Sequence, residues 1–309
     1  MSLGIEVSSV NTKKTVIIIA GPTASGKTAL SLQFAKHFNT EIISADSRQC
    51  FNELNIGVAK PTEQDLQSVK HYFINSHSIH DSVNAQVFEK YALDAANKIF
   101  EKNDVAIMVG GTGMYIKAFC NGLDEIPEVD ISIRNSIIKN YEENGLKWLQ
   151  QEVEKNDPLF WMQAEQKNPQ RLMRGLEVWM TTGKSITAFR KNAKITRPFN
   201  MLKFGIELSK EQLHSNIEKR TENMIQAGLA DEAKSLYQYK NINALQTVGY
   251  QEIFNYLDGF YNLNEAVQKI KTNTKQYAKR QITWFKKDKE IKWLFPAFFS
   301  FDKLTEQLI

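Results

Sequence analysis

A glycine-rich loop near the start of the chain constrains the fold more than any other feature. The pattern G-x-x-x-x-G-K-[ST] is met by Gly21, Gly26, Lys27 and Thr28, within the stretch TVIIIAGPTASGKTALSL. An apolar, β-branched run precedes the loop and a stretch with helical spacing follows it, as in phosphate-binding loops. Glycines let successive backbone N–H groups point at one anion, and the start of the helix adds its positive end. The sequence therefore predicts a phosphate site, in which the Thr28 hydroxyl is placed to bind Mg²⁺.

Composition excludes several classes of protein. The chain has 309 residues, of which 42% are hydrophobic and 24% charged, as is ordinary for a globular protein. No run approaches the roughly 18 apolar residues of a membrane span, and the N-terminus has no apolar signal-peptide core. The only cysteines are Cys50 and Cys120. We therefore expect a cytoplasmic protein that does not enter membranes and whose thiols are reduced.

Strands alternate with helices through the first part of the chain. The predicted strands are Val16–Ala20, Glu41–Ala45 and Val105–Val109, with later candidates at Leu202–Leu208 and Ile291–Phe295. This order is typical of an α/β fold, a parallel sheet flanked by helices as in P-loop NTPases, in which ligands bind beyond the carboxyl ends of the strands. The first three strands run into the polar segments GPTASGKT, DSRQ and GGTG. Their agreement predicts one site at that edge of the sheet.

The strand pattern stops between about Asp130 and Ala193. Helical spacing replaces it, with breaks expected at Gly145, Pro158, Pro169 and Gly183. We predict an all-helical domain at 126–199, inserted into a phosphate-loop core domain made of 1–125 and 200–309.

The predicted helix Asn264–Lys287 is strongly basic. Positions 269–287 hold seven Lys or Arg and no Asp or Glu, while the whole chain has a formal net charge of only +4. At 100° per residue, Lys271, Lys275, Lys279 and Lys286 fall within about 80° of one another. Such a face favours contact with a nucleic-acid backbone over an ordinary solvated helix, which mixes both signs.

The phosphate loop alone would favour a nucleoside or nucleotide kinase. The third strand, however, runs into Gly110 and lacks the aspartate that holds Mg²⁺ in such enzymes. Asp46 follows the second strand, where its carboxylate can accept a proton from a substrate. The residues leave a kinase as one alternative and a different transferase as the other.

The motifs together resemble those of the tRNA dimethylallyltransferases over nearly the whole chain. The matching segments, in chain order, are GPTASGKT, DSRQ, NIGVAKP, GGTGMYIKA, NPQRLMRGLEV, LQTVGYQE and KRQITWFK. The resemblance implies transfer of a dimethylallyl group from dimethylallyl diphosphate to N6 of the adenosine 3′ to the anticodon (position 37) of tRNA, with Mg²⁺. Diphosphate is the leaving group, and ATP is not required.

The resemblance also implies roles for individual residues. Asp46 is the base that takes the N6 proton, and Thr112 and Arg134 contact the substrate near the reacting centre. Arg220 is the cation that assists the phosphate loop, and the family's second arginine, one turn earlier, is Asn216 here. The diphosphate site then comprises Gly21, Pro22, Thr23, Ala24, Ser25, Gly26, Lys27, Thr28 and Arg220.

The adenosine must leave the stacked anticodon loop to reach these residues. By the same resemblance, the anticodon stem-loop is bound by residues of four motifs, with Tyr250 and Trp284 available for stacking. They are Asp46, Ser47, Arg48, Gln49, Gln170, Arg171, Leu172, Met173, Arg174, Gln246, Gly249, Tyr250, Lys279, Arg280, Gln281, Trp284 and Lys286.

Other readings of single residues and of the whole chain stay open at this point. Core packing is the alternative for Trp284, and a structural ion pair for Arg174. A tRNA-binding protein with a vestigial loop would lack the intact Lys27, Thr28 and Asp46. Transfer to free AMP would not need the basic helix. We expect the enzyme to act as a monomer.

Overall fold

The computed structural model describes residues 14–190, 195–296 and 300–306. These residues form two compact units. The first unit contains the described parts of Met1–Cys120 and Thr196–Ile309, and the second is Asn121–Ile195. Within the described residues, no helix is both long enough and apolar enough to cross a membrane.

The first unit is built on one sheet of six parallel strands, in the order β3-β2-β4-β1-β5-β6. The strands are β1 (Thr15–Ala20), β2 (Ile42–Ser44), β3 (His71–Tyr72), β4 (Val105–Gly110), β5 (Asn200–Ile206) and β6 (Lys292–Leu294). The predicted α/β class is confirmed, and each of the five predicted strands is present with its ends moved by at most two residues.

Helices flank this sheet. They are α1 (Lys27–His37), α2 (Glu63–Ser68), α3 (Ala85–Phe100), α4 (Gly113–Asn121), α8 (Lys210–Gln226), α9 (Leu229–Ser235), α10 (Tyr250–Leu257), α11 (Leu263–Phe285) and α12 (Phe301–Glu306). The strongly basic helix predicted from the sequence is α11, which begins one residue earlier and ends two residues earlier than predicted.

Strand β1 is buried on both of its faces, which explains its unbroken apolar sequence. On one side, Val16 and Ile18 belong to a core cluster that also contains side chains of α3, α4, α10 and α11. Ile17 and Ile19 pack on the other side with Phe34 of α1. A helix layer on each face is what a parallel sheet requires.

The register of the central strands brings their polar carboxyl ends together. Ala20 of β1 is paired with Gly110 of β4, and Ser44 of β2 is paired with Val109. The loops that follow these three strands therefore begin side by side. This confirms that the segments GPTASGKT, DSRQ and GGTG meet at one edge of the sheet.

The second unit is helical, as predicted. It contains α5 (Ile131–Asn156), α6 (Pro158–Trp161) and α7 (Pro169–Thr182). The four predicted breaks are confirmed: Gly145 interrupts α5 with φ 72°, Pro158 and Pro169 open the next two helices, and Gly183 ends α7. The core of the unit is formed by apolar side chains of all three helices, such as Val153, Phe160 and Leu172.

Candidate active site

The phosphate loop connects β1 to α1 through backbone conformations that few residues adopt. Gly26 has φ 89°, and Ala24 has φ 61° although it is not a glycine. Nothing lies within 4 Å of a Cβ built at Gly26, so the conformation, not the space, requires glycine there. Helix α1 begins at Lys27 with no acidic residue in its first turn. Its positive end is therefore free to face an anion.

Two cations belong to this loop. Lys27 Nζ donates to the Pro22 carbonyl at 2.5 Å, and the Arg220 guanidinium donates to Thr23 Oγ1 at 2.9 Å. Burial, and then the charge of Arg220, lower the pKa of Lys27 to about 7, while Asp46 acts in the opposite direction. A protein that brings two cations this close favours a multiply charged anion between them. The loop and these two residues, which the sequence predicts to bind a diphosphate, lie together.

Helices α8 and α11 hold the outer half of the phosphate loop. Asn216, in the position of the family's second arginine, donates to the Ala24 carbonyl at 3.1 Å. Gln281 accepts from Thr23 N at 2.8 Å and donates to the Gly111 carbonyl at 2.9 Å. Gln281 is only 7% exposed, which corrects its predicted contact with tRNA. Its amide instead ties the phosphate loop to the segment GGTG.

Asp46 lies at the turn after β2. Its Oδ1 accepts from the backbone N–H groups of Arg48, at 2.9 Å, and Gln49, at 3.3 Å. Thr112 lies in the same corner, because its Oγ1 accepts from Ser47 N at 3.1 Å. The contact between Ser47 and Thr112 confirms the prediction that the segments DSRQ and GGTG lie at one site.

Two cavities meet at Asp46. The larger, about 560 Å³, is lined by the phosphate loop and by polar residues such as Ser44 and Lys60. The smaller, about 100 Å³, has a mixed lining, in which five aliphatic side chains lie beside Arg48 and three threonines. Four further residues line both cavities: Thr23, Asp46, Arg220 and Tyr277. Asp46 therefore lies at the junction between the cavity of the phosphate loop and a smaller, partly aliphatic one.

The side chain of Gln49, predicted to read the base, has its hydrogen-bonding groups engaged within the protein. Its Nε2 donates to the carbonyls of Val58, at 3.3 Å, and Ala59, at 3.0 Å. Its Oε1 accepts from the Ser44 hydroxyl at 3.2 Å. Gln49 therefore fastens the NIGVAKP segment to the turn that carries Asp46.

Tyr250 supports the same segment from beneath. It is wholly buried, and its hydroxyl donates to Glu232 at 2.5 Å. Glu232 also accepts from the backbone N–H groups of Ile56, at 2.8 Å, and Gly57, at 3.0 Å. A Cβ at Gly57 would come within 2.5 Å of the Tyr250 ring. The prediction that Tyr250 stacks on a base is wrong for this arrangement, because its ring is enclosed in the core.

The motif LQTVGYQE has two further predicted tRNA residues. Gly249 is buried at the start of α10, and its N–H donates to Glu252 at 2.7 Å. Its φ is 102°, which favours glycine at this helix start. Gln246 is exposed and donates to the Lys240 carbonyl at 2.6 Å. Of the two, only Gln246 presents a side chain to the surface.

The positive charge of α11 is offset by neighbouring carboxylates, which the sequence of this helix does not show. Lys271 pairs with Glu222 at 2.7 Å, Lys275 with Glu218 at 2.6 Å, and Lys286 with Glu207 at 3.0 Å. Three of the four lysines of the predicted basic face are thus in ion pairs. The prediction of an unbalanced positive charge is therefore wrong for these three lysines.

Lys279 and Arg280 carry the remaining exposed charge in the middle of α11. Neither forms an ion pair with the described residues, and the Arg280 guanidinium lies 5.9 Å from the centre of the Tyr277 ring. Trp284 is 40% exposed, so core packing does not account for the whole side chain. A Cβ built on Gly113 would lie only 2.1 Å from the Trp284 indole, so this edge of the ring packs directly against Gly113. The exposed side chain of Trp284 on α11 therefore also contacts the GGTG segment of the candidate active site.

The second unit contains the other predicted residues. Gln170 and Arg171 are exposed at the start of α7. Leu172 is 0% and Met173 6% exposed, so their predicted contact with tRNA is corrected: both lie on the apolar face of α7 within the core of the unit.

The two predicted arginines of the second unit share one carboxylate. Arg134 Nε is 3.5 Å and Arg174 Nη1 3.2 Å from oxygens of Glu177. The Glu177 side chain is only 4% exposed, whereas about half of Arg134 remains exposed. The alternative of a structural ion pair for Arg174 is confirmed. The Glu177 carboxylate also pairs with Arg134 and so orients its side chain.

Sequence reasoning missed two residues of the site. Tyr277 could have been found, because it lies on the helical face that also presents Arg280 and Trp284. Glu232 leaves no signal in the sequence, since its partners are backbone N–H groups more than 170 residues away.

Comparisons with known proteins agree on one family. A family model described as IPP transferase matches residues 49–288. Curated relatives include the tRNA dimethylallyltransferases of Cytophaga hutchinsonii and Christiangramia forsetii, each 45% identical to this chain, over 284 and 293 residues. The alignments cover 92% and 95% of this chain, and 93% and 95% of those relatives.

Solved structures give the same result. The full-length tRNA isopentenylpyrophosphate transferase of Bacillus halodurans is 32% identical, with a TM-score of 0.69, covering 96% of this chain and 94% of that one. A eukaryotic dimethylallyltransferase acting on tRNA is 27% identical, with a TM-score of 0.72, covering 91% of this chain and 74% of that one.

Proposed function

The chain belongs to the IPP transferase family, that of the tRNA dimethylallyltransferases, and from this membership we propose its reaction. It transfers the dimethylallyl group of dimethylallyl diphosphate to N6 of the adenosine 3′ to the anticodon in tRNA and releases diphosphate. With tRNA as substrate, the proposed compartment is the cytoplasm. A nucleotide kinase was the alternative that the phosphate loop alone left open. It does not explain why the relatives are tRNA dimethylallyltransferases.

One observation supports this reaction most directly. Asp46 lies where a cavity lined by the phosphate loop, Lys27 and Arg220 adjoins a small cavity with five aliphatic side chains in its lining. An allylic diphosphate has the matching division, a highly charged group and a short hydrocarbon separated by one carbon–oxygen bond.

The proposed chemistry follows from that division. The bond between the allylic carbon and the diphosphate oxygen breaks, and its electron pair stays on the oxygen. Lys27, Arg220 and the loop N–H groups stabilise the charge that develops there. The lone pair of N6 forms the new bond to carbon, and the N6 proton passes to Asp46. Thr112, hydrogen-bonded to the Asp46 turn, is placed to orient the substrate.

The residues at the phosphate loop suit a Mg²⁺ ion that arrives with the diphosphate. Thr28 presents an exposed hydroxyl at the start of α1. Among the described residues there is no group of three or more His, Cys, Asp or Glu that could hold a metal by itself. Mg²⁺ commonly takes most of its ligands from substrate phosphates and water. We propose that Thr28 supplies the protein ligand and that the metal offsets the charge of the leaving group.

We propose that tRNA is bound by Lys279, Arg280 and Trp284 on α11 in the first unit. In the second unit, exposed Gln170 and Arg171 are the proposed contacts. Monomeric state is a separate prediction, which light scattering of the purified chain tests.

A transfer assay tests the proposed reaction. The protein is incubated with Mg²⁺ and unmodified tRNA in ATP-free buffer, with dimethylallyl diphosphate labelled in the prenyl group. Label should enter the RNA, and chelation of Mg²⁺ should stop the transfer. A tRNA with guanosine in place of the adenosine 3′ to the anticodon is the matched control and should remain unlabelled.

A parallel reaction with ATP labelled in its γ-phosphate separates the kinase alternative. No label should enter RNA or any nucleotide. Transfer that strictly requires ATP, or phosphoryl transfer without prenyl transfer, would refute the proposed function.

A further inference from the structure

The small cavity beside Asp46 has aliphatic side chains in its lining that the larger cavity lacks. Val58, Ile217, Met224, Val248 and Ile270 line only this cavity, together with Arg48 and three threonines. The larger cavity is lined mainly by the phosphate loop and by charged or polar side chains. A hydrocarbon placed beyond the reacting carbon is therefore accommodated only on the side of the smaller cavity.

The depth of this cavity can be followed along two packed helices. On α8, Arg220 lines both cavities, and Met224 lies one turn further on, about 6 Å along the axis. On α11, Tyr277 lines both cavities, and Ile270 lies seven residues earlier, about 10 Å along the axis.

Ion pairs fix the register of these helices. Glu218 pairs with Lys275, and Glu222 with Lys271, so α8 and α11 run in opposite directions. Continuing this register brings Met224 to the level of Ile270. These two side chains therefore lie at the end of the cavity farthest from the junction at Asp46.

The volume of the cavity limits the hydrocarbon that it can hold. It is about 100 Å³. An apolar protein cavity of about 150 Å³ is known to bind benzene, which has six carbons. The smaller cavity can therefore take only the end of a short hydrocarbon whose reacting carbon lies at the junction, whereas a ten-carbon geranyl group needs space that Met224 and Ile270 now fill.

We propose that Met224 sets the chain length of the prenyl donor by closing the far end of this cavity. The proposal rests on the proposed function and adds a determinant of donor specificity to it. Met224 is half-buried, whereas Ile270 is only 2% exposed. Met224 is therefore the better position to test, because its truncation disturbs the core less.

The test compares two donors, dimethylallyl diphosphate and geranyl diphosphate, with unmodified tRNA. In Met224→Ala, kcat/KM for the geranyl donor relative to the dimethylallyl donor should rise by at least about tenfold. Met201→Ala is the matched control, because Met201 is half-buried against the same core cluster but does not line the cavity. It should leave the ratio unchanged.

A filling variant tests the same cavity in the opposite direction. Thr274 lines the cavity between Tyr277 and Ile270, and Thr274→Leu should lower dimethylallyl transfer while binding of inorganic diphosphate is retained. If Met224→Ala does not fold, the smaller truncation Met224→Val should raise the same donor ratio in the same direction.

The outcomes separate the two proposals. Wild type that transfers dimethylallyl, with Met224→Ala shifting the donor ratio no more than Met201→Ala, would overturn the role of Met224 and leave the proposed function intact. Retention of full dimethylallyl transfer by Thr274→Leu would equally overturn the assignment of the cavity. Failure of wild type to transfer dimethylallyl at all would refute the proposed function itself.

Discussion

Replacing Asp46 by Asn separates its proposed role as a base from its role in the local fold. Asp46 Oδ1 accepts from two backbone N–H groups, those of Arg48 and Gln49. The amide oxygen of asparagine can accept the same two bonds, so the turn after β2 should be kept. The amide cannot take up the proton that leaves N6. The substitution therefore removes one chemical function and little structure.

The expected effect is a large loss in kcat. General-base assistance is typically worth about 10² to 10⁴ in rate, which corresponds to a barrier raised by about 3 to 5 kcal/mol. The phosphate loop, Lys27 and Arg220 are unchanged, and one negative charge beside the diphosphate site is lost. KM for dimethylallyl diphosphate should consequently stay the same or fall.

Steady-state kinetics over a series of Mg²⁺ concentrations measure both quantities. Asp65→Asn is the matched control, because this carboxylate lines the larger cavity without reaching the junction with the smaller one. The control should retain kcat within about threefold of wild type. A similar retention by Asp46→Asn would remove Asp46 from the role of base. Weak diphosphate binding rescued by excess Mg²⁺ would show instead that Asp46 serves the metal.

Three further substitutions test the surroundings of the site. Replacing Lys279 and Arg280 together by Ala should lower the slope of log affinity for tRNA against log salt by about 1.5 to 2, measured by filter binding; Lys271→Ala, which removes an already paired lysine, should lower it less. Glu232→Gln keeps one acceptor oxygen and places an NH2 group against the loop N–H from which the other oxygen now accepts a hydrogen bond; it should lower kcat by about tenfold with unchanged binding of inorganic diphosphate, whereas equal losses in both would indicate general misfolding. Gln281→Glu places a carboxylate against the glycine carbonyl to which the amide now donates and should lower the free energy of unfolding by about 1 to 3 kcal/mol, measured in urea; unchanged stability would contradict the bridging role.

Most of the sheet could be predicted because its strands carry a local signal. The apolar run before the phosphate loop is long and β-branched, and burial on both faces explains it. Strand β3 was missed, because His71 and Tyr72 alone contain no pattern. The breaks of the helical unit could be placed, because glycine and proline act within one or two residues of their own position.

The site could be predicted only as far as its chemistry lies in consecutive residues. The phosphate loop and Asp46 are recognisable in the sequence, since the loop geometry and the strand end are local. Tyr250 and Gln281 were misjudged as surface contacts. Their burial depends on Gly57 and Gly111, which lie more than 150 residues away and leave room for these side chains. No local pattern records such a contact.

The charge of α11 shows how such distant contacts change a functional conclusion. Seven cations without an anion predict a helix that binds RNA along much of its length. Lys271, Lys275 and Lys286 instead have carboxylates within 2.6 to 3.0 Å, and an RNA phosphate at any of them would displace or face that carboxylate. Four of the seven cations, Lys269, Lys279, Arg280 and Lys287, form no ion pair with the described residues. Lys279 and Arg280 are adjacent and lie next to the Gln281 amide that holds the phosphate loop. We therefore expect the attraction for RNA to be strongest where the helix contacts the catalytic loops.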